Sequence, residues 1–172
     1  IDLPPMPGNY QSGSIPQLEY FTFPFMFEDA GHFRRAVDGG IRDALATEYS
    51  RRGITLLNYY HKGALHLMHR SRFLNTPEAV RGQRIRSLGP TISALLAAMG
   101  GNALSVALGE VDAAIERGVI DAITTNCAAH LSRGWFHGLP YVTFLDMSQG
   151  GEGLAMNTRA LERLPADLQQ VV

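Results

Sequence analysis

The sequence has one cysteine, Cys127, so the chain cannot form an internal disulfide and a disulfide-linked scaffold is excluded. Charged residues make up only 18% of the 172 residues, and the net charge is −1. No run of basic residues occurs, which gives no support to nucleic-acid binding. No apolar run approaches the roughly 20 residues of a membrane-spanning helix, so we predict no direct membrane insertion. Hydrophobic residues reach 45%, which indicates a globular protein with a substantial core.

The sequence also lacks the motifs of common enzyme and metal sites. It contains no G-x-S-x-G, no P-loop and no G-x-G-x-x-G. His61, His66 and His69 fall close together, but two strand residues three positions apart point to opposite faces, and no acidic or cysteine partner has ligand spacing. We therefore predict no catalytic residue, no metal and no cofactor.

Apolar strand segments alternate with helical segments from Ile54 to Asn126, which predicts α/β units with a parallel or mixed sheet flanked by helices. A helix is predicted over 28–52, with a weak point at Gly39 and Gly40. Strands are predicted at residues 54–60, 64–69, 83–87, 103–108, 119–123, 139–145 and 152–157. Further helices are predicted to begin at residues 76, 90, 109, 125, 158 and 165. Residues 1–16 are predicted to be loop, and the QGGEG segment at 149–153 a turn.

Two polar features follow predicted strands. Arg86 ends one strand, and the loop Thr124, Thr125, Asn126 follows another and opens a helix, with Thr124 or Thr125 as its expected cap. A guanidinium binds a carboxylate through two parallel hydrogen bonds, and ligands of open α/β sheets settle at the carboxyl ends of strands. We predict that both features face one small anionic ligand. A surface arginine and simple helix capping are the alternatives.

Several segments occur in a characteristic order: TPEAVRG, RIR, AAMGG, EVDAAIERGVIDA and TTN, between residues 76 and 126. FPFMF precedes them, and MNTRALERLPADLQ follows. In order and spacing this series resembles the DctP-type solute-binding proteins of tripartite ATP-independent periplasmic (TRAP) transporters, whose pattern reads T-P-E-D-L-K-G, K-I-R, E-V-Y-x-A-L-Q-x-G-V-V-D-G and a polar loop. The resemblance covers about residues 15–172.

The resemblance implies a two-lobed periplasmic binding protein of type II-like fold, here a partial chain without the opening units of the first lobe and the C-terminal helices. Residues 1–62 would belong to one lobe and 63–149 to the other, with 150–172 returning to the first lobe and starting a hinge-spanning helix. It also implies a periplasmic receptor, not an enzyme, whose precursor carries a signal peptide. Its partners would be a small organic acid and the membrane subunits of the transporter.

The resemblance also implies roles for individual residues. The arginine that pairs with the ligand carboxylate falls on Arg86, and the polar contact after the V-D-G strand falls on Thr125, with Asn126 beside it. An aromatic position that packs on the ligand is Leu108 here.

A second ligand-binding arginine of many relatives falls on His66 or Leu65, so a second charged clamp is not expected at that position. His66 is the expected hydrogen-bond donor there. One arginine and a leucine wall fit a monocarboxylate, a 2-oxo acid or an aromatic acid at least as well as a dicarboxylate or a sialic acid.

Two other classes of function stay open at this point. One is a small-molecule enzyme on a related α/β scaffold, with His66 or His130 as base. The other is an effector-binding sensor domain, which a fused signalling segment would indicate.

Overall fold

The computed structural model of the chain describes residues 5–7 and 13–171. Its strands form two separate sheets, so the predicted α/β class with mixed sheets and flanking helices is confirmed. The strands are β1 Pro5–Pro7, β2 Ile54–Ala64, β3 His66–His69, β4 Arg84–Arg86, β5 Asn102–Leu104, β6 Ala122–Thr125, β7 Tyr141–Thr143 and β8 Gln149–Asn157. The first sheet is antiparallel in the order β1-β8-β2, and the second is mixed in the order β5-β4-β6-β3-β7.

Short helices connect and flank these strands. The α-helices are α1 Ala30–Ala36, α2 Arg42–Ser50, α3 Pro77–Val80, α4 Pro90–Ala98, α5 Val111–Glu116, α6 Cys127–Ser132, α7 Thr158–Glu162 and α8 Ala166–Val171. Segments of 3₁₀ helix occupy Pro16–Thr22, Leu108–Glu110 and Trp135–His137. No helix within the described ranges has both the length and the apolar character needed to cross a bilayer.

The long helix predicted over 28–52 is interrupted where the glycines suggested. A π-helical segment, Val37–Ile41, separates α1 from α2. Gly40 has a φ of 125°, a backbone conformation that side-chain-bearing residues rarely adopt. The pair of glycines therefore gives two helices rather than one.

Four local predictions are wrong. β1 lies within the segment predicted as loop, whose residues 1–4 and 8–12 lie outside the described part. Asn126, not Thr124 or Thr125, caps α6, because both threonines still belong to β6. The strand predicted over 103–108 ends early: β5 ends at Leu104, and Leu108 lies in a 3₁₀ turn.

The fourth wrong prediction is the QGGEG turn, which is part of the long strand β8. Its glycines are required by packing rather than by a turn. A Cβ atom on Gly151 would lie 2.4 Å from Cε1 of Tyr59, which is itself buried. The ring of Tyr59 occupies the place of the missing side chain, and this contact explains a glycine-rich sequence inside a strand.

Three hydrophobic clusters hold these layers together. The first packs the buried apolar residues of 15–33, among them Phe21, Phe27 and Phe33, and helices α1 and α2 against Tyr59 of the first sheet. The other two cover opposite faces of the second sheet, since Leu67 belongs to one cluster and its neighbour Met68 to the other. Burial on both faces explains the almost continuous apolar runs of these strands.

The chain passes between the two sheets twice, and the two crossings are hydrogen-bonded to each other. Leu65, between β2 and β3, donates its backbone N–H to the carbonyl of Ser148 at 2.9 Å. Met147 donates back to the carbonyl of Leu65 at 3.0 Å. The sheets are therefore joined by two crossing segments that are hydrogen-bonded to each other. The lobe limits predicted at residues 62 and 149 stay a prediction.

Candidate ligand-binding cleft

A cleft of about 550 Å³ lies where the two sheets meet. Residues of the first sheet, the crossing segments and the second sheet all contribute to its walls. Its lining comprises Phe21, Thr22, Lys62, Gly63, Leu65, Arg86, Leu88, Leu108, Thr125, Asn126, Ala128, Ala129, Ser132, Arg133, Trp135, Ser148, Gly150, Gly151 and Glu152. The volume suits a small organic molecule.

Arg86 is the most buried cation of this lining, with 2% of its surface exposed. It is the last residue of β4, which runs parallel to β5 and β6, so it lies at the carboxyl edge of the parallel part of the sheet. Its Nε donates to the carbonyl of Val106 at 3.3 Å, which helps to hold the side chain in place. A guanidinium stays charged when buried, and its attraction to an anion strengthens as water is excluded.

Thr125 and Asn126 lie beside this arginine at the end of β6, and both are buried. Oδ1 of Asn126 accepts the backbone N–H of Ala129 at 2.8 Å and so caps α6. Because the carbonyl oxygen serves the cap, the amide nitrogen is the group of Asn126 that can donate to a ligand. The structure thus brings the two predicted strand ends together in one cleft.

The apolar part of the wall includes Leu108, as predicted from the sequence, together with Trp135. Trp135 is fixed by a 2.5 Å hydrogen bond from its Nε1 to Oδ1 of Asp112. The guanidinium of Arg133 lies 5.5 Å from the centre of the same ring. Asp112, although exposed on α5, therefore positions a cleft residue.

The structure does not bring His66 into the cleft lining. Its Nδ1 lies 3.4 Å from the backbone nitrogens of Leu145 and Asp146 and 3.9 Å from the Asp146 carboxylate. Its ring meets Phe144 edge to face, with 5.1 Å between ring centres. Burial lowers the pKa of His66, an effect that the Asp146 carboxylate partly opposes. On strand β3 it lies opposite Thr125 of β6, so it shares a sheet face with that cleft residue but is not among the residues that line the cleft.

The other histidines of this region have structural partners. His69 accepts two backbone N–H groups at Nδ1, from Ser71 and Arg72, so its proton is on Nε2, which lies 2.9 Å from Oε1 of Gln83. His61 is hydrogen-bonded to Gln149 at 2.7 Å. Within residues 5–7 and 13–171 no group of three His, Cys, Asp or Glu side chains is placed to hold a metal ion.

Sequence reasoning missed a polar group on the other wall of the cleft. Lys62 and Glu152 form an ion pair of 2.8 Å, and the Glu152 side chain is only 8% exposed. Ser148 is 1% exposed, and its Oγ has no hydrogen-bond partner among the described residues. The assignment of QGGEG to a turn hid Glu152. The only signal was a lone acidic residue between glycines.

The charges of the cleft lining favour an anion. The lining contains three cationic side chains and one carboxylate. The cations are Lys62, Arg86 and Arg133, and the carboxylate is Glu152. The chain as a whole has a net charge of −1. Positive charge is therefore concentrated at the cleft, where it attracts and orients anionic molecules.

The comparison with known families decides the affiliation of this chain. The family model described as DctP, bacterial extracellular solute-binding protein, family 7, matches residues 5–172. The chain belongs to the DctP family. This membership agrees with the resemblance carried by residues 76–126, and DctP proteins are solute-binding receptors.

Relatives and solved structures that are solute-binding proteins agree with this assignment. A solute-binding protein of Chromohalobacter salexigens is 26% identical over 133 residues, which cover 77% of this chain and 40% of that protein. The 2,3-diketo-L-gulonate-binding periplasmic protein of Escherichia coli is 27% identical over 71% of this chain and 38% of its own length.

Among solved structures, a TRAP periplasmic solute binding protein of Sulfitobacter with bound β-D-galacturonate superposes with a TM-score of 0.92 and 26% identity. It is matched over 99% of this chain and 57% of its own length, so this chain spans little more than half of it. The fold class of a two-lobed periplasmic binding protein is thereby confirmed.

Proposed function

We propose that this DctP-family chain is part of an extracytoplasmic solute receptor that binds a small organic acid in the cleft between its sheets. It would act in the periplasm and present the bound acid to the membrane subunits of a TRAP transporter. Binding in this role requires no chemical conversion of the ligand, so the proposal includes no enzymatic activity.

The burial of Arg86 in the cleft wall is the observation that supports this proposal most strongly. A guanidinium at the edge of parallel strands, almost fully buried in the wall of a cleft, matches a carboxylate in charge and geometry. Thr125 and Asn126 lie at the next strand end and would add hydrogen bonds to the same ligand. Leu108 would pack against its carbon skeleton.

The relatives support the same class of ligand. The solved Sulfitobacter protein holds galacturonate, and the related protein of E. coli is named for 2,3-diketo-L-gulonate. Both molecules are carboxylic acids. An enzymatic alternative with His66 or His130 as base finds no support in the cleft, since neither residue is among those that line it.

The test measures whether binding depends on the ligand carboxylate. Isothermal titration calorimetry would compare each acid with its uncharged analogue, for instance D-galacturonate with D-galactose and succinate with succinamide. We expect binding of at least one acid and of none of the uncharged analogues. Equal binding of an acid and its uncharged analogue, or turnover of the bound acid, would contradict the proposed function.

A further inference from the structure

The wall opposite Arg86 suggests which acids the cleft accepts. We propose that Glu152, with Lys62 and Ser148, recognises ligand hydroxyl groups, so that the cleft selects a hydroxylated monocarboxylic acid over a dicarboxylic acid. This inference rests on the proposed function and adds the chemical class of its ligand.

The position of Glu152 is the first step of the argument. β8 pairs with β2 so that Glu152 lies opposite Tyr60, and a bulge in the pairing separates His61 from Gly63. This register places Lys62 and Glu152 in the same wall, 2.8 Å apart at Nζ and Oε2. A buried carboxylate is costly unless it is paired and hydrogen-bonded, and Glu152 is held in the wall by the Lys62 ammonium and by a hydrogen bond with the Tyr60 side chain.

The chemistry of a carboxylate decides what it can recognise. Glu152 offers about four acceptor positions and no donor, and the Lys62 ammonium and the Tyr60 hydroxyl together do not use them all. A ligand hydroxyl can donate to such an oxygen, whereas a second ligand carboxylate has no proton to donate at neutral pH and is repelled. Lys62 offers donors to the oxygen of the same hydroxyl. The pair is therefore complementary to a hydroxyl group that both donates and accepts.

Ser148 provides an independent observation. Its hydroxyl is buried in the cleft wall without a hydrogen-bond partner among the described residues. Buried hydroxyl groups in folded proteins nearly always have a partner, so this one points to a polar group of a ligand. With Arg86 on the second sheet and Ser148 and Glu152 on the other side, a bound acid would place its carboxylate at one wall and its hydroxyls at the other.

Calorimetry with three kinds of acid tests the inference on the purified protein. The hydroxylated monocarboxylates are D-galacturonate, D-glucuronate and D-gluconate, the monocarboxylate without hydroxyls is cyclohexanecarboxylate, and the dicarboxylate is succinate. We expect the tightest hydroxylated acid to bind at least about tenfold more tightly than the other two kinds, as one charge-assisted hydrogen bond allows.

Two variants assign the selectivity to residues. Glu152→Gln should weaken the best hydroxylated acid about tenfold or more, leave cyclohexanecarboxylate within about twofold, and strengthen succinate, because Lys62 loses its carboxylate partner. Ser148→Ala should weaken only the hydroxylated acid, by several fold. Glu116→Gln is the matched control, since Glu116 is exposed on α5 and does not line the cleft.

The outcomes separate this inference from the proposed function. If the acids bind but succinate equals or exceeds the hydroxylated acids, or if Glu152→Gln weakens all three kinds equally, the inference is overturned and the receptor proposal stands. If no acid binds, both are overturned. Should Glu152→Gln fail to fold, shown by thermal unfolding without ligand, the ligand series on the unchanged protein and on Ser148→Ala decides alone.

Discussion

Replacing Arg86 should abolish most of the affinity for a carboxylic acid. In the complex that we propose, the guanidinium and the ligand carboxylate form a buried ion pair, because Arg86 is only 2% exposed. Removing one partner of such a pair costs about 3 to 5 kcal/mol, since the other charge is left buried and unpaired. Arg86→Ala should therefore raise the Kd between about a hundredfold and a few thousandfold.

Arg86→Lys tests the geometry separately from the charge. Lysine keeps the positive charge but cannot form two parallel hydrogen bonds with one carboxylate. The loss of one charge-assisted hydrogen bond, about 1.5 to 3 kcal/mol, should raise the Kd between about tenfold and a hundred and fiftyfold. Both variants lose the hydrogen bond from Nε to Val106, and the loss of that bond alone should lower the free energy of unfolding by about 1 kcal/mol.

Calorimetry with the best-binding acid measures both effects, and thermal unfolding without ligand shows whether the variants are folded. Arg84→Ala is the matched control, because Arg84 lies on the same strand but is bound to Asp121 outside the cleft. Its Kd should equal that of the unchanged protein. A folded Arg86→Ala protein with a Kd within about threefold of the original would refute the reasoning.

Three predictions concern stability. Gly151→Ala should lower the free energy of unfolding by about 3 kcal/mol or more, because the added Cβ meets the buried ring of Tyr59. Asn126→Ala should cost about 1 kcal/mol through the lost cap of α6 and also weaken ligand binding. Asp121→Asn should destabilise the protein at pH 7 and less so near pH 3. The hydrogen bond from Arg84 holds the pKa of Asp121 below its usual 3.8, so the stabilisation is complete above that pH and is lost as pH falls through the lowered pKa.

Urea unfolding measures all three, each against a control. Gly39→Ala adds a Cβ that meets nothing within 4 Å and should cost little, so equal losses at Gly39 and Gly151 would contradict the packing argument. Asn126→Ser keeps a capping oxygen and should restore stability but not affinity. If Asn126→Ser binds ligand normally, the amide has no part in binding. A loss at Asp121 that is independent of pH would show that its charge is not involved.

The two strand ends of the cleft could be predicted from local sequence. Apolar strand segments that alternate with helical segments predict parallel strands. Parallel strands have their carboxyl ends at the same edge of a sheet. Arg86 and Thr125 are the last residues of β4 and β6, which are parallel neighbours, so the structure brings them together. Their roles in ligand binding stay predictions until they are measured.

The opposite wall depends on contacts that local sequence does not reveal. Lys62 and Glu152 meet because β2 and β8 pair across most of the chain, with a bulge that shifts the register. The glycines around Glu152 suggest a turn unless the ring of Tyr59 is known to fill the space beside Gly151. His66 was expected to face the ligand, and it shares a sheet face with Thr125, but its ring is engaged by the 144–146 segment, a contact that local sequence does not reveal.

A crystal structure with the tightest-binding acid tests the central claim most directly. The account predicts that both carboxylate oxygens of the ligand lie within hydrogen-bond distance, about 3 Å, of the Arg86 guanidinium, in the cleft between the two sheets. A ligand carboxylate bound elsewhere, with Arg86 left to its protein contacts, would contradict it.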